Sequence, residues 1–389
     1  MPWKEINVMS QRVEFVMRAF ETDNFRLLCQ EYGISAKTGY KWLERFKEHG
    51  RSGLANASRR PHGHACALSE EVLCEIVRLK KLKPAWGPAK IRAIYARTHA
   101  EVPSESTFKR VLDKAGWVEH RRTRRREAAG RLFTGRRAQK PNEIWTVDFK
   151  GWWYGANRRR CEPLTVRDEF SRYVLELRAL PDARTPTVRQ CFERLFEKHG
   201  LPGAIRSDNG TPFAMRTALL GLSKLSVWWM VLGIDLERGR PGCPQDNPAH
   251  ERFHLDIARE LEGSAQGEQQ AFLDQWRREY NEERPHQALG QRCPAEYYAN
   301  SATSYEGTPA DLSYALPLQP RKVQTTGHFR WSQRPIWLSS ALSGWSVAME
   351  PIDDTKSHVW FGRLLLGHID EAASVFVPTT TGVQNDETP

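Results

Sequence analysis

Three carboxylates, each in its own local setting, constrain this chain more than anything else in it. They are Asp148 in WTVDFKGWW, Asp208 in AIRSDNGTPFA and Glu251 in CPQDNPAHERFHLDI. Trp145, Val147 and Phe149 alternate with Thr146, Asp148 and Lys150, the period of a half-buried strand with Asp148 on its polar face. Ala204-Ile205-Arg206-Ser207 reads as a short strand that Asp208-Asn209-Gly210 ends in a turn. Asn247-Pro248 reads as an N-cap and first helical residue, which puts Glu251 in or just after the first turn of a helix. The helix dipole tolerates a negative charge there.

Acids delivered from two strand ends and a helix can meet at one point. Ionised together they repel, so such a cluster needs cations. All-oxygen ligation suits Mg²⁺ or Mn²⁺, and two such ions clamp the attacking and leaving oxygens of a phosphoryl displacement. Taken singly, each acid is an ordinary turn or surface residue; the combination of contexts is what points to a site.

WTVDF, SDNG and NPAHERFH together resemble the Asp-Asp-Glu core of bacterial insertion-sequence transposases, relatives of the retroviral integrases. The resemblance implies an RNase H-like fold and metal-dependent DNA strand transfer, with Asp148, Asp208 and Glu251 as catalytic residues and metal ligands and two Mg²⁺ (or Mn²⁺) ions expected. The 42 residues from 209 to 250 form a longer spacer than retroviral integrases carry. The excess falls in the Leu- and Trp-rich stretch 216–232, read as an added helix beside the site. The long spacer leaves Glu237 and Asp246 as competitors for the third ligand, both less well placed than Glu251.

Charge separates the two halves of the chain. Over 389 residues the net charge is +11, but residues 1–140 hold 30 Lys+Arg against 15 Asp+Glu, and the remainder is slightly acidic. A basic front that grips nucleic acid, ahead of a half that supplies catalytic acids, fits that division. Seven cysteines without a C-x-x-C argue against a disulfide framework. There is no signal-like N-terminus, and the most apolar run, Leu225 to Ile234, is too short to span a bilayer. The expectation is a bacterial cytoplasmic, nucleoid-associated protein with no membrane partner.

Read in order, residues 1–55 form a helix-turn-helix domain. Val13, Val16, Met17 and Phe20 share one helical face, followed by Phe25, Leu27, Leu28 and Tyr32. Gly33 allows a tight turn, Ser35 can cap, and Tyr40, Leu43 and Phe46 read as the buried face of the recognition helix. Lys37, Thr38 and Lys41 then point to DNA. Residues 56–68 are a linker, and 69–119 a second module of similar plan, with Ser104 as cap and Ser106, Thr107, Lys109 and Arg110 as DNA-facing residues. The Arg-rich linker 120–140 offers Arg121, Arg122, Arg124, Arg125 and Arg126 to phosphates.

The catalytic core is expected over 141–300. Strands are read at Pro163–Phe170 and Tyr173–Leu180, and Asp168 is taken as a turn residue paired with Arg172. An amphipathic helix follows over 187–199, and a long charged one over 268–283. His286, in RPHQAL, is read as packing its loop rather than meeting DNA. Residues 320–378 alternate in short turn-separated runs, a small all-β module resembling the SH3-like barrels at integrase C-termini, before a disordered tail, 379–389. The fold class is thus multidomain: all-α helix-turn-helix modules, a central α/β RNase H-like core and a C-terminal all-β barrel.

The function this implies is cleavage at the ends of an insertion element and strand transfer into target DNA. The partners are double-stranded DNA, both terminal inverted repeats and target, and further copies of the chain, at least a dimer on DNA. The rivals are a catalytically silent, domesticated DNA-binding protein and an RNase H-fold nuclease. Three intact acids speak against the first, and two reading modules ahead of the core favour sequence-specific end recognition over the structure-specific cutting of the second.

Overall fold

In the computed structural model, which describes residues 7–56, 68–118, 135–154, 158, 160–239, 248–261, 269–370 and 372–379, the first helix begins at a cap. Asn7 accepts the Met9 amide through its side chain at 3.0 Å, opening α1 (Val8–Glu21). Asn24 caps α2 (Phe25–Glu31) in the same way, and Ser35 caps α3 (Ala36–His49), each supplying an acceptor that the first turn lacks. Gly33, at φ +61°, makes the turn between α2 and α3. These helices belong to one unit, residues 1–70, whose core is Phe15, Val16, Leu28, Cys29, Trp42 and Leu54.

The buried stripe differs from the expected one. Met17, Phe20, Leu27 and Tyr40 are all more than half exposed. Phe15 takes the central place instead, packing edge-on against both Phe25 and Tyr32. Helix α3 approaches through Gly39, where an added Cβ would lie 2.6 Å from the Cys29 Sγ. Its buried face therefore runs through Gly39 and Trp42, and Tyr40 stacks on Phe25 from outside at 4.3 Å.

The second unit spans residues 71–389. It opens with α4 (Glu70–Leu82), α5 (Pro88–Tyr95), whose first residue is the proline that a helix start accepts, and α6 (Glu105–Lys114), capped by Ser104. Ile76, Trp86, Ile91, Tyr95, Phe108 and Leu112 form their core.

The sheet that follows contains β1 (Ile144–Phe149), β4 (Pro163–Asp168), β5 (Val174–Ala179), β6 (Ala204–Ser207) and β7 (Asp235–Arg238); β2 (Trp153–Tyr154) and β3 (Arg160–Cys161) make a separate small hairpin. The strand order is β5-β4-β1-β6-β7, with β1 antiparallel to β4 and parallel to β6. Helix α7 (Thr185–His199) packs on one face through Val188, Phe192 and Phe196, against Trp145, Val147 and Ile205. On the other side α9 (Pro248–Glu260) and α10 (Gln269–Arg278) bury Phe253, Ile257 and Trp276 against Val174 and Leu177. Strand β1 is thus covered on both faces, not half-buried: Thr146 is as buried as Trp145.

One further expectation changes, and another gains a second role. Asp168 is buried and accepts from the Asn142 amide, the Ser171 amide and the Ser171 hydroxyl. It organises its turn by hydrogen bonds, as a buried carboxylate must, in place of the expected pair with Arg172. The Leu- and Trp-rich spacer forms the expected added helix, α8 (Lys224–Val231), and this helix also joins two cores. Leu225, Trp228 and Trp229 enter the core of the sheet, while Val227 and Val231 enter the core of the C-terminal module.

That module is all-β. Strands β8 (Gln319–Lys322), β11 (Ser346–Asp353), β12 (Lys356–Phe361), β13 (Leu364–Asp370) and β14 (Val375–Pro378) form an antiparallel sheet in the order β14-β13-β12-β11-β8, with β9 (His328–Trp331) and β10 (Arg334–Trp337) as a separate hairpin. Its pairing is that of a five-stranded sheet plus a hairpin. Among the described residues no helix is long and apolar enough to cross a membrane.

Candidate active site

Register brings the first two acids together. Strands β1 and β6 pair in parallel as Ile144↔Ala204, Trp145↔Ile205 and Thr146↔Arg206. Carried two residues further, that register sets Asp208 beside Asp148 at the same end of neighbouring strands. Asp208 is exposed just past the last residue of β6, and Gly210 keeps room for it: a Cβ there would lie 2.8 Å from the Asp208 Oδ2.

The third acid comes from α9, whose first turn is pinned to the sheet from beneath. The buried Arg167 guanidinium donates to the Ala249 carbonyl at 2.7 Å. His250, wholly inside, meets the Thr165 hydroxyl at 2.7 Å and the Thr146 hydroxyl at 2.9 Å. Glu251 is then presented at the exposed side of that turn. Further along, Arg284 grips Asp256 and Glu260. The RPHQAL stretch therefore serves to hold α9, and His286 packs against Tyr280 in it, with burial pushing its imidazole down to about 2. The structural role expected for His286 is the one observed.

The Asp148 carboxyl feels the charge of both other acids. Burial first, then the charge of Asp208, then that of Glu251, push the Asp148 carboxyl up to about 7, against a partial opposing pull from the Phe149 amide. An acid raised by like charges is one that a cation would relieve. The donor set of carboxylates at a partly open strand end suits a hard divalent ion. Glu237, a competitor for the third position, is spoken for: Arg206 holds it at 2.7 Å and Arg136 at 3.0 Å. Asp246 lies outside the described residues.

Two histidines were not singled out from the sequence. His254 Nδ1 lies 3.8 Å from the Asp148 Oδ2, and its Nε2 lies 3.0 Å from the Thr165 hydroxyl. Burial, then the charges of Lys150 and Arg167, push its imidazole down to about 3. The signal was there in HERFH, since residues four apart share a helix face.

Of the expected DNA contacts, Lys37 and Lys41 are exposed on α3, while Thr38 is half-buried and bonded to its cap, Ser35. Ser106, Lys109 and Arg110 are exposed on α6, and Thr107 is half-buried against Ser104. Ser106 and Lys109 line a cleft of about 630 Å³ whose far wall includes Arg252 and Arg259 of α9. Arg121, Arg122, Arg124, Arg125 and Arg126 lie outside the described residues.

Comparison with known proteins agrees with this layout. Integrase core domain models match residues 138–244 and 232–294; a helix-turn-helix domain model matches 11–62, and a homeodomain-like domain model matches 38–112. An insertion element IS407 protein of Burkholderia multivorans is 27% identical over 226 residues, covering 56% of this chain and 79% of its own. An insertion element IS476 protein of Xanthomonas euvesicatoria is 26% identical over 277 residues, covering 70% and 76%. Among solved structures, the catalytic core domain of BIV integrase is 23% identical, with 40% of this chain and 93% of that one covered at a TM-score of 0.32. A simian T-cell lymphotropic virus intasome chain is 15% identical, with 75% and 97% covered at 0.36. The family models and the sequence relatives, not these low-scoring overlays, carry the assignment. With helix-turn-helix folds ahead of an integrase core of the RNase H-like kind, the chain is similar to insertion-element proteins and resembles the insertion-sequence transposases of the integrase superfamily.

Proposed function

We propose that this protein cuts DNA at the ends of its own insertion element and joins the freed ends to target DNA, using Asp148, Asp208 and Glu251. The observation that supports the reading is the raised Asp148 carboxyl, which burial and the charges of Asp208 and Glu251 push up to about 7. Two Mg²⁺ or Mn²⁺ ions would be held by these carboxylates and would supply charge neutralisation at the attacking and leaving oxygens. The chain's own contribution is placement. Parallel register sets Asp148 beside Asp208, and Arg167, His250 and Arg284 fix the helix that presents Glu251. Water then displaces the 3′ oxygen of the element end, and the freed 3′-hydroxyl displaces a bridging oxygen in target DNA.

The front modules, 1–55 and 69–119, read the terminal inverted repeats, with Lys37, Thr38, Lys41, Ser106, Thr107, Lys109 and Arg110 facing DNA. The Arg-rich stretch 120–140 tracks phosphates, so binding weakens steeply as salt rises. At least two protomers assemble on DNA, because two ends need two acid clusters and each chain is read as offering a single one. The C-terminal sheet is read as an SH3-like barrel over 320–378 that supports this assembly. The protein acts where the DNA is, in the bacterial cytoplasm.

The test uses the purified full chain and duplexes ending in the inverted repeats that flank its gene, with Mg²⁺ or Mn²⁺. Cleavage at the 3′ ends followed by joined products supports the reading. Specific binding with no cleavage in either metal would favour the silent DNA-binding protein.

A further inference from the structure

The hydroxyl of Thr165 has one proton and three neighbours. It donates to the Asp148 carbonyl at 2.8 Å, and His250 Nε2 and His254 Nε2 approach it at 2.7 and 3.0 Å. With its proton spent on the carbonyl, the oxygen can only accept, so His254 carries its proton on Nε2. Its Nδ1 is then a bare lone pair. His250 Nδ1 lies 2.9 Å from the Thr146 hydroxyl, which also donates to the Arg167 carbonyl at 3.2 Å, so both His250 ring nitrogens are engaged inside the protein. His254 Nδ1 instead faces the Asp148 Oδ2 at 3.8 Å, too long for a hydrogen bond.

Two acceptors facing one another without a proton between them repel. That separation is, however, what two donors on one cation show, since metal–ligand bonds of about 2.0 to 2.2 Å put neighbouring ligand atoms about 3 to 4 Å apart. The arrangement is also the one in which a ligating histidine is oriented by a hydrogen bond from its other nitrogen. Asp148, His250 and His254 offer ligand atoms all within 4.8 Å of one another, and of the two imidazoles only His254 has its nitrogen free for the purpose.

We propose that His254 supplies, through Nδ1, a nitrogen donor to the cation held by Asp148, so that this site takes Mn²⁺ in preference to Mg²⁺. This rests on the reading of the acid cluster as a metal site. Imidazole suits the transition ions, whereas Mg²⁺ prefers oxygen and keeps its waters. The three acids alone would discriminate little between the two.

The experiment is calorimetric titration of the full chain, without DNA, with Mn²⁺ and with Mg²⁺, for the native protein, His254→Asn and Asp148→Asn. Asparagine puts an oxygen donor near the place of Nδ1. The expected result is a loss of Mn²⁺ affinity in His254→Asn of about 10-fold or more, as for other disturbed ligand shells, with Mg²⁺ affinity moving much less. Equal losses for both ions, or none, while Asp148→Asn abolishes binding, would overturn the nitrogen ligand and leave the acid site standing. Unchanged binding in Asp148→Asn would overturn the acid site itself, and the inference with it. Pulsed EPR of the Mn²⁺-loaded native protein needs no variant to fold. Coupling to a directly bound imidazole nitrogen is expected, and its absence overturns the proposal.

Discussion

Arg284 holds Glu260 at 2.6 Å with one guanidinium nitrogen and Asp256 at 3.0 Å with another, tying the loop after α10 to the helix that presents Glu251. All three side chains are largely buried, so the pair gains from low dielectric but has no water to fall back on. Arg284→Met is expected to cost about 3 to 5 kcal/mol, the usual consequence of stranding a buried carboxylate. Adding Asp256→Asn and Glu260→Gln should return part of that loss. Urea denaturation of the three proteins checks the order, and a triple variant no more stable than Arg284→Met would refute the ion-pair account.

Gly39→Ala is expected to destabilise the first unit. The new methyl would meet Cys29 Sγ at 2.6 Å and the rings of Phe15 and Phe25 at 3.0 Å. Overpacking of this kind costs about 1 to 3 kcal/mol, and α3 shifts away from α1. Denaturation midpoint and affinity for element-end DNA should both fall. An unchanged midpoint would mean that the helices pack more loosely than described.

The local contexts of all three acids were legible because each rests on neighbouring residues: alternation around Asp148, a turn after Ser207, a proline at the start of α9. Polar residues deceived the reading wherever tertiary partners satisfied them. Thr146 looked solvated by its place in the alternation, yet it is buried because His250 comes to it from residues far along the chain. Arg167 and Arg284 have ordinary surface spacing and sit almost wholly inside. The role of α8 was hidden for the same reason: its residues are apolar nearly all round, which says buried, but not that two separate cores share it.

Asp148 makes the metal-free protein sensitive to pH. Its carboxyl is raised to about 7 in the folded state from an ordinary 3.8, so protonation favours the fold. The stability linked to the protonated form is present below about pH 4 and is lost as pH rises through 7. Asp148→Asn should therefore melt higher than the native protein at pH 8 in chelator, and the two should converge near pH 4. A gap that persists at pH 4 would assign the effect to packing rather than charge.

Assembly on DNA predicts complementation. Mixing Glu251→Gln protein with a protein impaired in both end-reading helices should restore some cleavage that neither shows alone, if the protomer bound to one end cuts the other. Gel-resolved cleavage across a range of mixing ratios is the readout. No recovery at any ratio, with mixed complexes present on DNA, would mean that each protomer cuts the end it binds.

The central claim is that Asp148, Asp208 and Glu251 act as one catalytic cluster, and Glu251→Gln tests it most directly. The substitution removes a charge while keeping length and shape, and Glu251 is exposed at the start of α9, so the fold should not suffer. End-cleavage and strand transfer should be measured side by side with end binding, in Mg²⁺ and in Mn²⁺. Loss of both reactions by at least about 100-fold, with end binding within about threefold of native, is the predicted result. Full activity in that protein would contradict the account and move the third acid elsewhere in the chain.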